Sequence, residues 1–325
     1  MLVIIANLIS IASLYWALRD AKLGELKDDL AAMSWWWVVV AVVFDLAVYF
    51  WHALRWRVLL RPVVNLPFAH TVRSIYVGLF ANEVLPFRVG EVIRCYLLSK
   101  GTVLPFSVSV TSALIERVFD GIWLSVCLFV TLLFIPIPRD FRFLVDGGYV
   151  LVAVVLGLAC LLGIAMFRRH ETRAALGGAG WQRHLRVLID DLEVIGHSRY
   201  FVLSFLQSLP YLLLSTMPIF ASLRGYGLDL SLGSAFAIMV ILRLGSVIPQ
   251  APGNLGVFQF LVRESLEKVF MVAPAEAARF SLVLWGIVTI PLLLGGFFAL
   301  AVTGMRLGDI RHEARAQADA LSKRL

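Results

Sequence analysis

Charge is scarce in this chain. Only 16% of its 325 residues are Asp, Glu, Lys or Arg, against 60% hydrophobic residues. That balance excludes an ordinary soluble domain and a disordered chain, and it implies several membrane-spanning helices. Cysteine is scarce too. Cys95, Cys127 and Cys160 lie in apolar or membrane-proximal runs without a C-x-x-C pair. This argues against a disulfide framework or a zinc site and reads all three as small core residues. The six histidines have no ligand spacing. There is no G-x-x-x-x-G-K-[ST], so the chain does not itself bind ATP through a P-loop, and H-E-x-x-H and G-x-S-x-G are also missing. No nucleophile stands beside a base. Neither an enzyme nor a cofactor is therefore expected. The net charge of +7 is modest for this length. Its arginines cluster at the ends of apolar runs, which suits membrane orientation and not nucleic-acid binding.

What is present is a series of long apolar runs. Six crossings are expected at about 2–18, 35–58, 105–135, 147–167, 200–222 and 277–304, each near or above the roughly 20 residues needed to span. Trp35, Trp36, Trp37, Trp51 and Trp56 sit near run ends, as an interfacial belt does. Arg19 follows an apolar run without a basic segment before it, so an uncleaved first helix is expected. Residues 67–100 and 231–270 differ. Each holds two shorter apolar segments split by a breaker, Pro86 to Gly90 and Pro249 to Gly256. Such segments suit re-entrant helix pairs; the plain alternative is that some of them span, giving eight or more crossings.

The broken regions match each other. An offset of 163 residues places Pro86 on Pro249, Gly90 on Gly253, Leu79 on Leu242 and Val84 on Val247. Each half reads helix, connector, helix, broken pair, helix. Three crossings per half invert the second half relative to the first. The expected fold is therefore all-α and polytopic: about six transmembrane helices plus two re-entrant pairs in a pseudo-symmetric inverted repeat. Residues 1–145 form the first repeat, 146–305 the second and 306–325 a tail, either a short helix or a frayed end. Fourteen basic residues fall on the side of Arg55, the 168–199 connector and the tail, against seven on the other. The positive-inside rule then places both termini in the cytoplasm, the expected location being a bacterial inner membrane. The 168–199 connector reads as an amphipathic helix on the inner leaflet or as a solvated loop helix.

Charges inside the apolar runs mark candidate chemistry, since each costs roughly 2.5–3.5 kcal/mol at the bilayer centre by insertion scales. Glu91 and Arg94 share a helix face, and Arg88 precedes them in the break. A helix opening at Gly90 would point free N–H groups into that break, a place suited to a phosphate. The bland reading is an ion pair that holds the fold. Glu116, Arg117 and Asp120 sit near the middle of their run. The two carboxylates, four apart, could share a proton or clamp an arginine such as Arg94. Asn82 and Glu83 could line the same cavity. Asp45, Tyr49 and His52 form one polar stripe, facing either a cavity or a neighbouring helix. Arg55 and Arg57 beside Trp56 read as snorkelling to the interface. In the second half Arg243 should face a cavity or a carboxylate. The loop with Pro252, Gly253 and Asn254 offers exposed backbone, and Gln259 follows it.

Ala53 to Arg57, Asn82 with Leu85 to Arg94, Glu116 to Asp120, and Pro252 to Phe258 together resemble the lysylphosphatidylglycerol synthase transmembrane family, also called UPF0104 and flippase-like. The resemblance covers nearly the whole chain. It departs at Asn254, where the family usually has a second Gly, and at Gln259, where it usually has Glu. It implies lipid handling without the soluble aminoacyl-transferase domain of the family's namesake.

The resulting expectation is a carrier that moves a phospholipid or lipid-linked substrate between leaflets. Its partner would be an anionic phospholipid or a polyprenyl-linked headgroup, held by Asn82, Glu83, Arg88, Glu91, Arg94, Glu116, Arg117, Asp120, Asp45, Arg243, Pro252, Gly253, Asn254 and Gln259. Rivals are a membrane enzyme acting on lipid-linked substrates and a transporter of a small soluble solute. Gly304 and Gly308 form a G-x-x-x-G too common to imply a dimer, though a homo-oligomer stays open.

Overall fold

The computed structural model describes residues 2–85, 89–135, 142–167, 181–196, 198–246 and 251–324. They are helical almost throughout: α1 Leu2–Leu18, α2 Leu26–Ala32, α3 Trp35–Leu60, α4 Phe68–Val84, α5 Gly90–Ser99, α6 Phe106–Phe134, α7 Arg142–Phe167, α8 Trp181–Gly196, α9 Arg199–Leu214, α10 Thr216–Tyr226, α11 Leu232–Gly245, α12 Val257–Glu264, α13 Pro274–Thr303 and α14 Leu307–Arg324. Helix starts follow local chemistry. α4 and α6 begin after the extended prolines Pro67 and Pro105, and α13 begins with Pro274 in its first turn. α11 is capped by Ser231, whose hydroxyl accepts from Ser234 N at 3.2 Å.

Four helical stretches are long and apolar enough to cross a membrane: Trp35–Leu60, Phe106–Phe134, Arg199–Tyr226 and Pro274–Thr303. The chain is a polytopic, all-helical membrane protein. The other two expected crossings coincide with α1 and α7, whose described apolar stretches, Asn7–Leu18 and Asp146–Cys160, are shorter. Both broken regions are helix pairs. α4 packs along α5, and α11 packs on α12. The Pro86–Arg88 and Val247–Gln250 stretches at the breaks lie outside the described residues.

The first pair is held by a backbone-to-backbone approach. A Cβ on Gly90 would stand 1.9 Å from Gly78 O, and one on Gly78 would stand 2.8 Å from Gly90 O. No side chain larger than hydrogen fits between α4 and α5 there. The second loop is closed by α1. Gly256, at φ +94°, would put a Cβ 2.0 Å from Ser10 O, and Ser10 Oγ accepts from Ala251 N at 2.8 Å. α1 thus packs against α12 and α13. Beyond α1, its connector is tied to the same helices: Asp20 pairs with Arg263 at 2.7 Å and Glu25 with Arg279 at 2.7 Å.

Two expectations from composition need correction. Trp56 is fully buried and donates to Ser112 Oγ at 2.8 Å, so it belongs to the core and not to an interfacial belt. Trp35 and Trp36 are exposed, as a belt requires. Cys95 and Cys127 are buried, but Cys160 is exposed on α7.

The tail is an ordered helix. Ile310 of α14 is fully buried, and α14 packs on α5. Glu313 accepts from Tyr96 Oη and pairs with Lys100 Nζ at 2.8 Å. The hydrogen bond from Lys100 holds the Glu313 carboxyl below its ordinary value, and the same bond raises the Lys100 ammonium. A depressed carboxyl contributes above its unfolded value and loses that contribution as pH falls through the folded one; the raised ammonium contributes below its own unfolded value and loses that as pH climbs past the folded one. Docking of α14 is therefore strongest between the two. Protection from hydrogen exchange across 307–324, taken relative to the intrinsic rate at each pH, should fall on acidification below the ordinary carboxylate range. Glu313→Gln should remove that acid response, and a response unchanged by the substitution would rule out this pair as its cause.

Candidate functional site

The centre of the molecule holds a closed ring of alternating charge built from α3, α5 and α6. Arg55 pairs with Asp120 and, at 3.1 Å, with Glu116. Glu116 pairs with Arg94 at 3.1 Å, and Arg94 with Glu91 at 2.9 Å. Glu91 pairs with Arg117 at 3.1 Å, and Arg117 returns to Asp120 at 3.8 Å. Three guanidinium groups meet three carboxylates, so the ring has no net charge. Arg55 and Glu116 are 0% exposed and Arg94 is 2% exposed. Burial on this scale is tolerated because every charge has at least two partners. Side groups complete it. Ser208 Oγ accepts from Arg55 at 2.9 Å, and Asn82 donates to Glu91 at 3.4 Å. His52 Nε2 lies 3.3 Å from Arg94 and 3.5 Å from Glu116. The Arg55 guanidinium also lies over the Tyr211 ring at 4.8 Å, and that of Arg94 over Trp56 at 4.5 Å.

Arg55 therefore does not snorkel. The stripe Asp45, Tyr49, His52 continues at Arg55, three residues on, and that spacing was the signal that it faces inward with them. Its neighbour Arg57 is half-buried and donates to Asn65 at 3.3 Å.

Beside the ring lies a cavity of about 320 Å³. From the first half Asp45, Tyr49, His52, Asn82, Glu83, Glu91 and Arg117 line it. From the second come Tyr211, Ser215, Arg243, Ser246, Asn254 and Phe258. Its size is at the low end of ligand pockets, roughly 300–1,000 Å³. A volume of that size admits a small polar group.

Of the residues singled out in the sequence, Asp45, Asn82, Glu83, Glu91, Arg117, Arg243 and Asn254 are lining residues. Arg94 and Asp120 belong to the ring one layer back, paired with Glu91 and Arg117 respectively, and Glu116 lies behind them, paired with Arg94 and Arg55. Pro252 and Gly253 form a short turn whose Gly253 carbonyl accepts from Trp285 at 2.8 Å. Gln259 is fully buried and caps α12, its Oε1 accepting from Gly256 N at 2.7 Å. Arg88 lies outside the described residues.

The halves touch at the cavity. Asn254 Nδ2 donates to Glu83 Oε1 at 2.9 Å, from the second loop to the end of α4. Asn254 has φ +54°, a left-handed backbone that glycine adopts freely and Asn tolerates better than other side chains. Asn254 therefore makes a turn that a glycine would also make, and adds a donor. Arg243 faces the cavity, donating to Ser215 Oγ at 3.0 Å and approaching Tyr211 Oη at 3.5 Å. Tyr211 and Ser215 were missed in the sequence, where a Tyr and a Ser inside an apolar run carry no signal.

The profile described as "Lysylphosphatidylglycerol synthase TM region" matches residues 3–296. The chain belongs to that family. Among its curated relatives are two UPF0104 membrane proteins of Methanothermobacter thermautotrophicus. One aligns at 28% identity over 104 residues, 31% of this chain and 30% of the relative. The other aligns at 22% over 261 residues, 72% and 75% of the two chains. The glycosyltransferase AglD of Haloferax volcanii aligns at 22% over 240 residues, 63% of this chain and 38% of that protein. The chain thus spans less than half the length of the first and third of these relatives. The ring and the cavity both fall inside the matched residues 3–296.

Proposed function

We propose that this protein is an inner-membrane carrier that moves a phospholipid or lipid-linked substrate between leaflets, its headgroup passing through the cavity while the acyl chains stay in the bilayer. The observation that carries the proposal is the cavity itself: charged side chains inside an apolar helical protein, drawn from both broken regions, around a volume that fits a headgroup. Intramembrane ionisable groups facing a cavity are the usual mark of a substrate path. In this reading Glu91 and Arg117 contact the headgroup, and Arg55, Arg94, Glu116 and Asp120 orient them.

An inverted repeat supplies the movement. Its support is the correspondence of packing. α4 packs on α13 as α11 packs on α6, and α5 on α6 as α12 on α13; α6 meets α7 as α13 meets α1. Rocking of one repeat against the other would expose the cavity to each leaflet in turn. With no P-loop in the sequence, movement is equilibrative or ion-coupled, and both termini are cytoplasmic by the distribution of basic residues.

The test is headgroup translocation by purified protein in liposomes. Glu91→Gln together with Arg117→Gln removes one matched pair from the lining and should slow translocation at least about tenfold, the equivalent of one lost charge-assisted contact. An unchanged rate in the double variant would remove both residues from the path. Relatedness to a protein named as a glycosyltransferase keeps a polyprenyl-linked sugar among the substrates to assay. New product in mass spectra of those lipids would replace the carrier reading with an enzyme.

A further inference from the structure

The three arginines of the ring are committed to carboxylates, whereas Arg243 is held differently. Its bonds within the cavity go to the neutral oxygens of Ser215 at 3.0 Å and Tyr211 at 3.5 Å, and its guanidinium lies over the Tyr211 ring at 5.3 Å. These contacts orient the group without neutralising it. Ser215 lies between α9 and α10, so a helix break in the second half presents the receptor for Arg243. Asp45 on α3 lines the same cavity as Arg243; Asp120 on α6 also lies within electrostatic reach of Arg243 but is already paired with Arg55 and Arg117. Asp45 is 6% exposed, and its Oδ2 has no hydrogen-bond partner among the described residues. Around the pair of Arg243 and Asp45 stand Tyr49 and His52 on α3, Tyr76 and Glu83 on α4, Glu91 on α5, Arg117 and Asp120 on α6, and Tyr211 on α9.

We infer that Arg243 is the anion anchor of the cavity, taking a phosphate-type anion, and that Asp45 is its internal counter-charge while the site is empty. The inference rests on the carrier reading above and assigns the charged part of the substrate. A planar guanidinium with hydroxyls fixing one edge offers its remaining N–H groups as a fork for phosphate oxygens. A carboxylate opposite it repels the same anion. It also keeps an empty carrier from burying an isolated cation, which a return step through the membrane would otherwise require. The ligand and Asp45 thus compete for one positive charge, and the two substitutions must act with opposite signs.

The experiment is lipid binding to the purified protein in nanodiscs, read by native mass spectrometry. The probes are phosphatidylglycerol, phosphatidylethanolamine and inorganic phosphate. Arg243→Gln should weaken phosphatidylglycerol retention by about tenfold or more, the effect of one charge-assisted contact. Asp45→Asn, which keeps shape and removes charge, should strengthen it at least about fivefold, a typical coupling between sites. Should Arg243→Gln fail to fold, Arg243→Lys and Ser215→Ala serve instead, and each should weaken retention. Competition by inorganic phosphate would identify a free phosphate as the source of the anion; indifference to it would identify the lipid headgroup. Undiminished retention in the Arg243 variants overturns the anchor while leaving the carrier reading in place. Weaker retention in Asp45→Asn overturns the counter-charge and makes Asp45 a ligand for a cationic part of the substrate. A wild-type protein that retains none of the three probes overturns the inference, while the carrier reading stands or falls by the translocation assay above.

Discussion

Glu116→Ala should be among the most damaging single substitutions in this protein, lowering its stability by about 3–5 kcal/mol. Glu116 is the one carboxylate shared by Arg55 and Arg94, both fully or almost fully buried. Its removal leaves two guanidinium groups facing each other across a void with too few acceptors. Each keeps one carboxylate, Asp120 or Glu91, so the ring opens into a single chain, Arg55–Asp120–Arg117–Glu91–Arg94, with one more guanidinium than carboxylate. The measurement is the unfolding transition of detergent-solubilised wild type and variant. A loss below about 1 kcal/mol, the range of exposed ion pairs, would mean that the ring is solvated. The double variant Arg94→Gln with Glu116→Gln restores the balance of charge and should cost less than the sum of the single changes, because the two groups are in direct contact. If the double loss is additive, the pairing of Arg94 with Glu116 carries no coupling energy.

Gly90→Ala is expected to separate the first helix pair. The added methyl would sit 1.9 Å from the Gly78 carbonyl and 2.6 Å from Asn82 Oδ1. The Asn82 amide can turn aside, but the Gly78 carbonyl is backbone and cannot. Relief requires α4 and α5 to move apart, at the 1–3 kcal/mol or more that overpacking costs, taken as an order of magnitude. Function should suffer more than stability. α5 carries Glu91 and Arg94 while α4 carries Asn82 and Glu83, so any shift misaligns the ring and the lining together. Translocation should fall at least about tenfold, in keeping with the sensitivity of preorganised sites to displacements near 1 Å. Gly157→Ala, where a methyl meets nothing within 4 Å, is the matched control. Equal activity of the Gly90 and Gly157 variants would show that the α4–α5 approach is looser than the structure has it.

Much of this was legible in the sequence because lipid makes local chemistry unusually informative. A Glu or Arg in an apolar run demands a reason, so Glu91, Arg94, Glu116, Arg117, Asp120 and Arg243 stood out, and all lie at the ring or the cavity. Arg55 did not stand out. An Arg next to a Trp near the end of a run is also what an interfacial anchor looks like, and the two cases differ only in whether another helix covers them. Trp56 was misread for the same reason. Gln259 stood out for its place after a glycine-rich loop, and the structure adds that its Oε1 closes the first turn of its own helix while its Nε2 has no partner among the described residues.

The sequence by itself determined the helical class, the lengths of the apolar helices, the two breaks and the bias of basic residues. These follow from hydropathy, from proline and glycine and from charge, each of which acts over a few residues. The tertiary structure alone decided which charges meet. Six residues from three helices close into a neutral ring, Tyr211 and Ser215 turn out to hold Arg243, and Asn254 reaches Glu83 from a loop 171 residues away. Such pairings depend on how helix faces are turned toward one another. That is set by packing across the whole fold, as where Gly78 lets α5 come close, and no local pattern along the chain encodes it.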